Sequence, residues 1–397
     1  MSGTEHTNRV PVSQSKDDLL LLSGQPQCAE DISKIISAIP PSAIPTMAPI
    51  TKSSLSNLPL SYATVSIGRS GNQTLKEKLQ AISHAGFQAI ELGFPDLVTF
   101  ASTHHNKKIS NSDYEDLATA AKEVARLCQD LDLEILMLQP FTNFEGWPPG
   151  SEQREEAFTR AKGWMQVMEA CGCRMLQVGS SDTPTSEIGN DRERFVNDLR
   201  ELADLLATKG MRIAYENWCW SSHAPDWSDV WEICRLVDRG NFGLCLDTFQ
   251  SAGGEWGDPT TASGLVESGG RSKADVEKAW KESCARLAET VPAEKIFLLQ
   301  ISDAYKVDPP VSAEDVDGMR PRARWSGSYR PLPFEGYLPV IDFTKAVLRT
   351  GFRGYFSYEI FDEGSDGKGR EGADDLEAWA QAGRRCQERL VEACVEE

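Results

Sequence analysis

A closed (β/α)8 barrel is the fold this sequence predicts, and three observations predict it. Eight short apolar runs of strand length alternate with stretches of helical periodicity. The last four runs each end in a single oxygen-bearing side chain: Glu216 in MRIAYENW, Asp247 in NFGLCLDTF, Gln300 in KIFLLQIS and Glu359 in RGYFSYEIF. No second alternating block follows, which favours closure over an open doubly wound sheet.

Taken in order, residues 1–58 are rich in Ser, Pro and Thr and contain PPSAIP and PITKSSLSNLP. They are expected to form a flexible N-terminal extension, compatible with one short helix over AEDISKIISAI, and the barrel is expected over 59–397. Strands are expected near 62–67, 88–93, 133–138, 174–178, 211–216, 242–247, 296–301 and 354–359, each a run of strand length. Between them TLKEKLQAISHAG, YEDLATAAKEVARLCQDL and EEAFTRAKGWMQVMEACG place apolar residues at i, i+3 and i+4. Gly86, Gly172 and Gly210 stand where such helices would end. Two connections are long. Residues 303–336 follow strand 7 and are expected to form a lid, because loops after barrel strands lie on the catalytic face. Residues 362–374, DEGSDGKGREGAD, follow strand 8 and read as a Gly-rich surface loop without the spacing of a phosphate cradle.

Composition narrows the function. The 397 residues are 40% hydrophobic and carry a net charge of −19, which argues against a nucleic-acid or anionic-membrane partner. The ten cysteines lack paired spacing, as expected of reduced thiols in the cytoplasm rather than of a zinc site. The LLLL at Leu19–Leu22 is too short for a signal or membrane segment.

In a barrel the strand ends converge on one mouth, so Glu216, Asp247, Gln300 and Glu359 would meet there. Three carboxylates and an amide oxygen form a ligand set for Mg²⁺, Mn²⁺ or Co²⁺. Any one of them alone could instead cap a helix or pair with an arginine. Burying three together without a cation would be prohibitively repulsive. His223, on the loop after strand 5, is the first candidate for a general base, and His105, beside His104 after strand 2, is the second. The segment MRPRARWSGSYR holds Arg320, Arg322, Arg324 and Arg330 with no acid among them. With Arg69 in VSIGRSG they are candidates to clamp a substrate carboxylate. Trp218, Trp220 and Trp325 could wall a ring-shaped substrate, although core packing is the stronger reading of the first two.

The motifs SIGR (66–69), LQPF (138–141), YENWCWS, NFGLCLDTF, DPTTASG, LLQISDA, GYLPV and GYFSYEIF resemble those of the fungal 3-dehydroshikimate dehydratases. These belong to the xylose isomerase-like (sugar isomerase/epimerase) barrels, and the resemblance runs from Ser61 to Asp362. It implies a divalent metal on Glu216, Asp247, Gln300 and Glu359 and no organic cofactor. It further implies dehydration of 3-dehydroshikimate to protocatechuate through an enolate, with His223 or His105 taking the C4 proton. Arg330 or Arg69 would hold the ring carboxylate, and Gln139, Trp220 and Gln250 would complete the substrate pocket. The amide at Gln300 separates this pattern from many sugar epimerases of the superfamily, which place His there. Gln250 departs from the His or Asn of relatives, Phe94 from the His of their LFHEDL, and WSGSYR from their WSRNCR. The rival readings are a sugar ketoisomerase or epimerase on the same metal site, and a non-catalytic homologue that binds a metabolite. The expected partner is a small carboxylate substrate, with association into homo-oligomers left open.

Overall fold

The structure, a computed structural model, describes residues 47–68, 71 and 73–396. The expectations for residues 1–46 and for Arg69 lie outside the described residues. Eight parallel strands close a barrel in chain order: β1 (Leu60–Ala63), β2 (Ala89–Gly93), β3 (Glu134–Phe141), β4 (Met175–Gly179), β5 (Arg212–Glu216), β6 (Phe242–Asp247), β7 (Ile296–Ile301) and β9 (Phe356–Tyr358). The ring closes where Ser61 of β1 pairs with Ser357 of β9. A separate antiparallel pair joins β8 (Tyr329–Arg330) to β10 (Phe361–Asp362).

The first strand stops earlier than the sequence predicts. After Ala63 the chain turns through a 3₁₀ segment, Thr64–Ser66. The Thr64 carbonyl is taken by Lys78 Nζ at 2.9 Å and its hydroxyl by the Gly93 N–H at 2.9 Å, so the ladder cannot continue. The helices begin at side-chain caps where the sequence supplies them. Thr74 and Glu77 form a capping box, and Ser272 with Asp275 forms another. Helix Glu152–Cys171 ends on Gly172 at φ 74°, the left-handed position that glycine adopts without penalty.

Two apolar cores result from the period-2 alternation of the strands. The larger lies between strands and helices. A smaller, separate one fills the barrel interior with Ala89, Met137, Met175, Ala214, Cys245 and Leu298. Two residues further along the same strands stand Glu91, Gln139, Gln177, Glu216, Asp247 and Gln300, and Glu359 likewise follows Ser357. The interior is therefore apolar near the foot of the strands and polar at their C-terminal ends.

The long connection after β7 carries helix Pro321–Ser328 and then β8. Because β8 pairs with β10, the loops after the seventh and eighth barrel strands are stitched together over the mouth. Trp325 anchors this lid: its Nε1 donates to the Tyr305 carbonyl at 2.9 Å, and its ring lies 5.0 Å from that of Phe249. The Gly-rich loop joins in, since Arg370 bonds both Asp362 and Glu335.

At the opposite end, residues 47–58 lie against the barrel rather than apart from it. Ala48 N–H donates to Arg349 O, Glu396 N–H to Ile50 O and Arg353 Nε to Ser54 O. Ile50 and Leu55 are buried there. Among the described residues no helix is long and apolar enough to cross a membrane, and the nine described cysteines are free and buried.

Candidate metal centre and active site

Glu216, Asp247 and Glu359 come from β5, β6 and the end of β9, and offer carboxylate oxygens that all lie within 4.8 Å of one another. All three are buried. Each is held by neighbours. Glu216 accepts from the Gln177 amide and from Trp218 Nε1 at 3.0 Å. Asp247 Oδ1 accepts the backbone N–H groups of Phe249 at 2.6 Å and Gln250 at 2.9 Å. Glu359 accepts the Gln139 amide at 3.1 Å.

Arg330, delivered by β8, completes the cluster. Its Nη2 lies 2.6 Å from Asp247 Oδ2 and 3.0 Å from Glu359 Oε2. Its Nε donates to Ser302 Oγ and its Nη1 to Ser326 Oγ, and its guanidinium packs 4.6 Å over Phe249 and 5.2 Å over Phe361. Arg330 is thus spent on the protein's own acids, where the sequence suggests a clamp for a substrate carboxylate. The cause is the cost of buried like charge: the acids take the nearest cation.

The electrostatics follow from burial. Burial, with Glu359 and Asp247 alongside, pushes Glu216 well above the ordinary carboxylate range, while Arg330 and the Trp218 N–H oppose it. Burial raises Asp247 and Glu359 too, against the pull of Arg330. Three carboxylates and one guanidinium leave two uncompensated negative charges when ionised, the charge of one dication. Glu216 Oε1 is moreover buried without a hydrogen-bond partner. The donor set fits a divalent cation that prefers oxygen ligands.

Gln300 sits in the same interior layer, beside Asp247 in the ladder. Its Nε2 donates to Glu91 Oε2 at 2.8 Å, and its Oε1 lies 3.2 Å from Cys245 Sγ. Glu91 is fully buried, and burial together with Glu359 raises it. Sequence reasoning passes over Glu91 and Gln177 because each lies inside an apolar run rather than at its end. Their signal is spacing, two residues beyond the interior Ala89 and Met175.

Other expected site residues lie elsewhere. His223 Nε2 is 2.8 Å from Glu145 Oε1, which also accepts from Tyr215 Oη and the Ser181 N–H. The His223 ring stacks on Phe195 at 4.0 Å. Tyr215 alternates with Glu216 along β5, so this group occupies the helix side of the strand and does not touch the carboxylate cluster. His105 contacts the Asp116 carbonyl at 3.1 Å and the edge of His104. Neither histidine hydrogen-bonds to a residue of the carboxylate cluster, and His223 Nδ1 has no hydrogen-bond partner. Gln139 touches it directly. Gln250 accepts the Cys219 N–H at 3.0 Å, and Trp220 stacks behind Trp218 at 5.0 Å. The expected positive patch is also corrected. Arg320 binds the carbonyls of Trp220 and Asp182, Arg322 those of Gly253 and Gly257 with Asp258, and Arg324 those of Ser312 and Glu314. Arg320 and Arg322 stitch the lid to the loops of the barrel, and Arg324 ties the lid to itself.

Comparison with known proteins fits this geometry. The description of the xylose isomerase-like TIM barrel family matches residues 79–390. A 3-dehydroshikimate dehydratase of Neurospora crassa is 30% identical over 330 residues, 80% of this chain and 90% of that protein. One of Pseudomonas aeruginosa is 32% identical over 304 residues, 77% of this chain but 38% of its own longer chain. The solved structure of a xylose isomerase-like TIM barrel/4-hydroxyphenylpyruvate dioxygenase fusion protein superposes with a TM-score of 0.63 at 27% identity, covering 85% of this chain and 43% of that one.

Proposed function

The chain belongs to the xylose isomerase-like TIM barrel family, and on that premise we propose that it is a hydro-lyase that dehydrates 3-dehydroshikimate to protocatechuate. The observation that carries the reading is the buried triad of Glu216, Asp247 and Glu359 at the C-terminal mouth of the barrel. In this reading Glu216, Asp247 and Glu359, with the amide oxygen of Gln300, hold Mg²⁺, Mn²⁺ or Co²⁺. A dication there supplies Lewis-acid stabilisation of negative charge developing on a ring ketone.

The chain's own residues do the rest. Gln177, Trp218 and Gln139 fix the glutamate rotamers, so the oxygens are oriented before substrate arrives. The lid, closed by Trp325 and β8, keeps water from the centre. Among the described residues Arg330 is the cation paired with Asp247 and Glu359, and it balances them as charge shifts during turnover. Recognition of the substrate carboxylate then falls to Arg69, on sequence grounds alone. Glu145 engages His223 at Nε2 and leaves Nδ1 without a hydrogen-bond partner, so Nδ1 is the atom through which the ring could take a proton. No contact ties His223 to the carboxylate cluster, so we do not assign it the C4 proton.

The Arg330 bridge favours a second reading, in which the guanidinium stands in for a metal and the protein binds a metabolite without turning it over. One experiment separates the two. EDTA-stripped protein is given 3-dehydroshikimate with Mg²⁺, Mn²⁺ or Co²⁺, and protocatechuate is followed by absorbance. The dehydratase reading expects turnover that requires the added ion and disappears in Glu359→Gln. Binding of 3-dehydroshikimate without product under every ion would overturn it.

A further inference from the structure

We infer that Glu91 is a positioning residue that fixes which end of the Gln300 side-chain amide faces away from it, and so whether the oxygen or the N–H end is left to meet a cation. The inference rests on the reading of this centre as a metal site. An amide offers one end that can hold a cation and one end that can only donate N–H groups. Flipping it by half a turn converts a ligand into a repellent, at almost no steric cost. Something must choose between the two orientations.

The choice is made from β2, across the barrel from β7. Gln300 Nε2 donates to Glu91 Oε2 at 2.8 Å, and both side chains are fully buried. A carboxyl oxygen accepts this bond whether or not the second oxygen carries a proton. At the other end, Gln300 Oε1 lies 3.2 Å from Cys245 Sγ. A thiol donates one weak hydrogen bond, and a carbonyl oxygen has two lone pairs, so one remains for a cation. Glu91 accepts a hydrogen bond from its ligand, whereas Gln139 and Gln177 donate to theirs, which separates its role from that of the two amides. It also accounts for a fully buried acid that the reaction itself does not use.

The test is Mn²⁺ affinity of the metal-stripped full chain, measured by electron paramagnetic resonance of free Mn²⁺ without any substrate. Glu91→Gln keeps the shape and lets the amide of Gln300 take either orientation. It is expected to weaken Mn²⁺ binding about tenfold to a hundredfold, the usual effect of losing an outer-sphere partner. Glu91→Asp, whose carboxyl is withdrawn by one methylene, is expected to do the same and serves if the first variant does not fold. The exchanged pair Glu91→Gln with Gln300→Glu conserves charge, restores a donor facing an acceptor, and is expected to recover binding. Unchanged Mn²⁺ affinity in both single variants would overturn the inference while leaving the metal site standing. Failure of the unmodified chain to bind Mn²⁺ would instead overturn the metal reading itself, and this inference with it.

Discussion

Arg330 shows how the fold commits to the protein's own acids a side chain whose sequence context suggests a clamp for a substrate. Its sequence context, a run of arginines without acids, suggests a surface cation awaiting an anion. In the fold its guanidinium is 1% exposed and committed to Asp247 and Glu359. Arg330→Met should therefore strand buried acids, a loss of about 3–5 kcal/mol for breaking a buried pair. Thermal melts should show that loss in EDTA and its partial recovery with Mn²⁺; a variant as stable as the parent in EDTA would contradict this account. His223 makes the converse point. Its nearness to Glu216 in sequence suggests chemistry, yet one residue of alternation along β5 sends Tyr215, and the Glu145 it binds, to the other face. We expect His223→Ala to lower the melting temperature while leaving Mn²⁺ affinity within about twofold, since the loss falls on packing and a buried hydrogen bond. A variant with unchanged stability and abolished turnover would restore the histidine as the base.

At the scale of elements, the barrel strands were legible because their hydrophobic runs have strand length and end where the backbone leaves the ladder. Glu216, Asp247, Gln300 and Glu359 could be picked out for the same reason, each closing a run. Glu91 and Gln177 could not, because a polar residue in mid-run carries no mark until the interior register is known. The lid was legible only as length. What folds it, the pairing of Arg330 with Phe361 and the burial of Trp325, depends on contacts between distant segments that no local pattern encodes. Trp325→Ala removes the ring under which Phe249 packs and frees the Tyr305 carbonyl, and should cost about 3–5 kcal/mol. Hydrogen exchange should rise most across residues 303–336. Uniform exchange over the whole barrel would mean that the lid is not a separate cooperative unit.

For the whole molecule, the buried acids make stability depend on pH with a definite sign. Glu255, half-buried beside Asp226, is pushed up to about 7, desolvation being the main cause. Glu91, Glu216, Asp247 and Glu359 are raised as well. A carboxyl whose folded pKa exceeds its unfolded value stabilises the fold while protonated, and that contribution fades as pH climbs from the unfolded value through the folded one. In EDTA the melting temperature should thus fall between pH 6 and pH 8.5. Glu255→Gln should be neutral near pH 5 and stabilising near pH 8, by roughly 2–4 °C on the scale of 1–2 kcal/mol in a domain of this size. A melting temperature that rises with pH across this window would refute the assignment. Saturating Mn²⁺ should flatten the slope, because a dication favours the ionised acids.

The hydrogen bond from Glu396 to Ile50 has a practical consequence. Both ends of the folded unit leave from one corner, near Arg349 and the start of β9, while the catalytic mouth opens at the opposite pole. A tag, tether or reporter joined at the carboxyl terminus would therefore hang from the base of the cup, and a molecule moored to a sensor chip by that handle would present its rim to the passing solution.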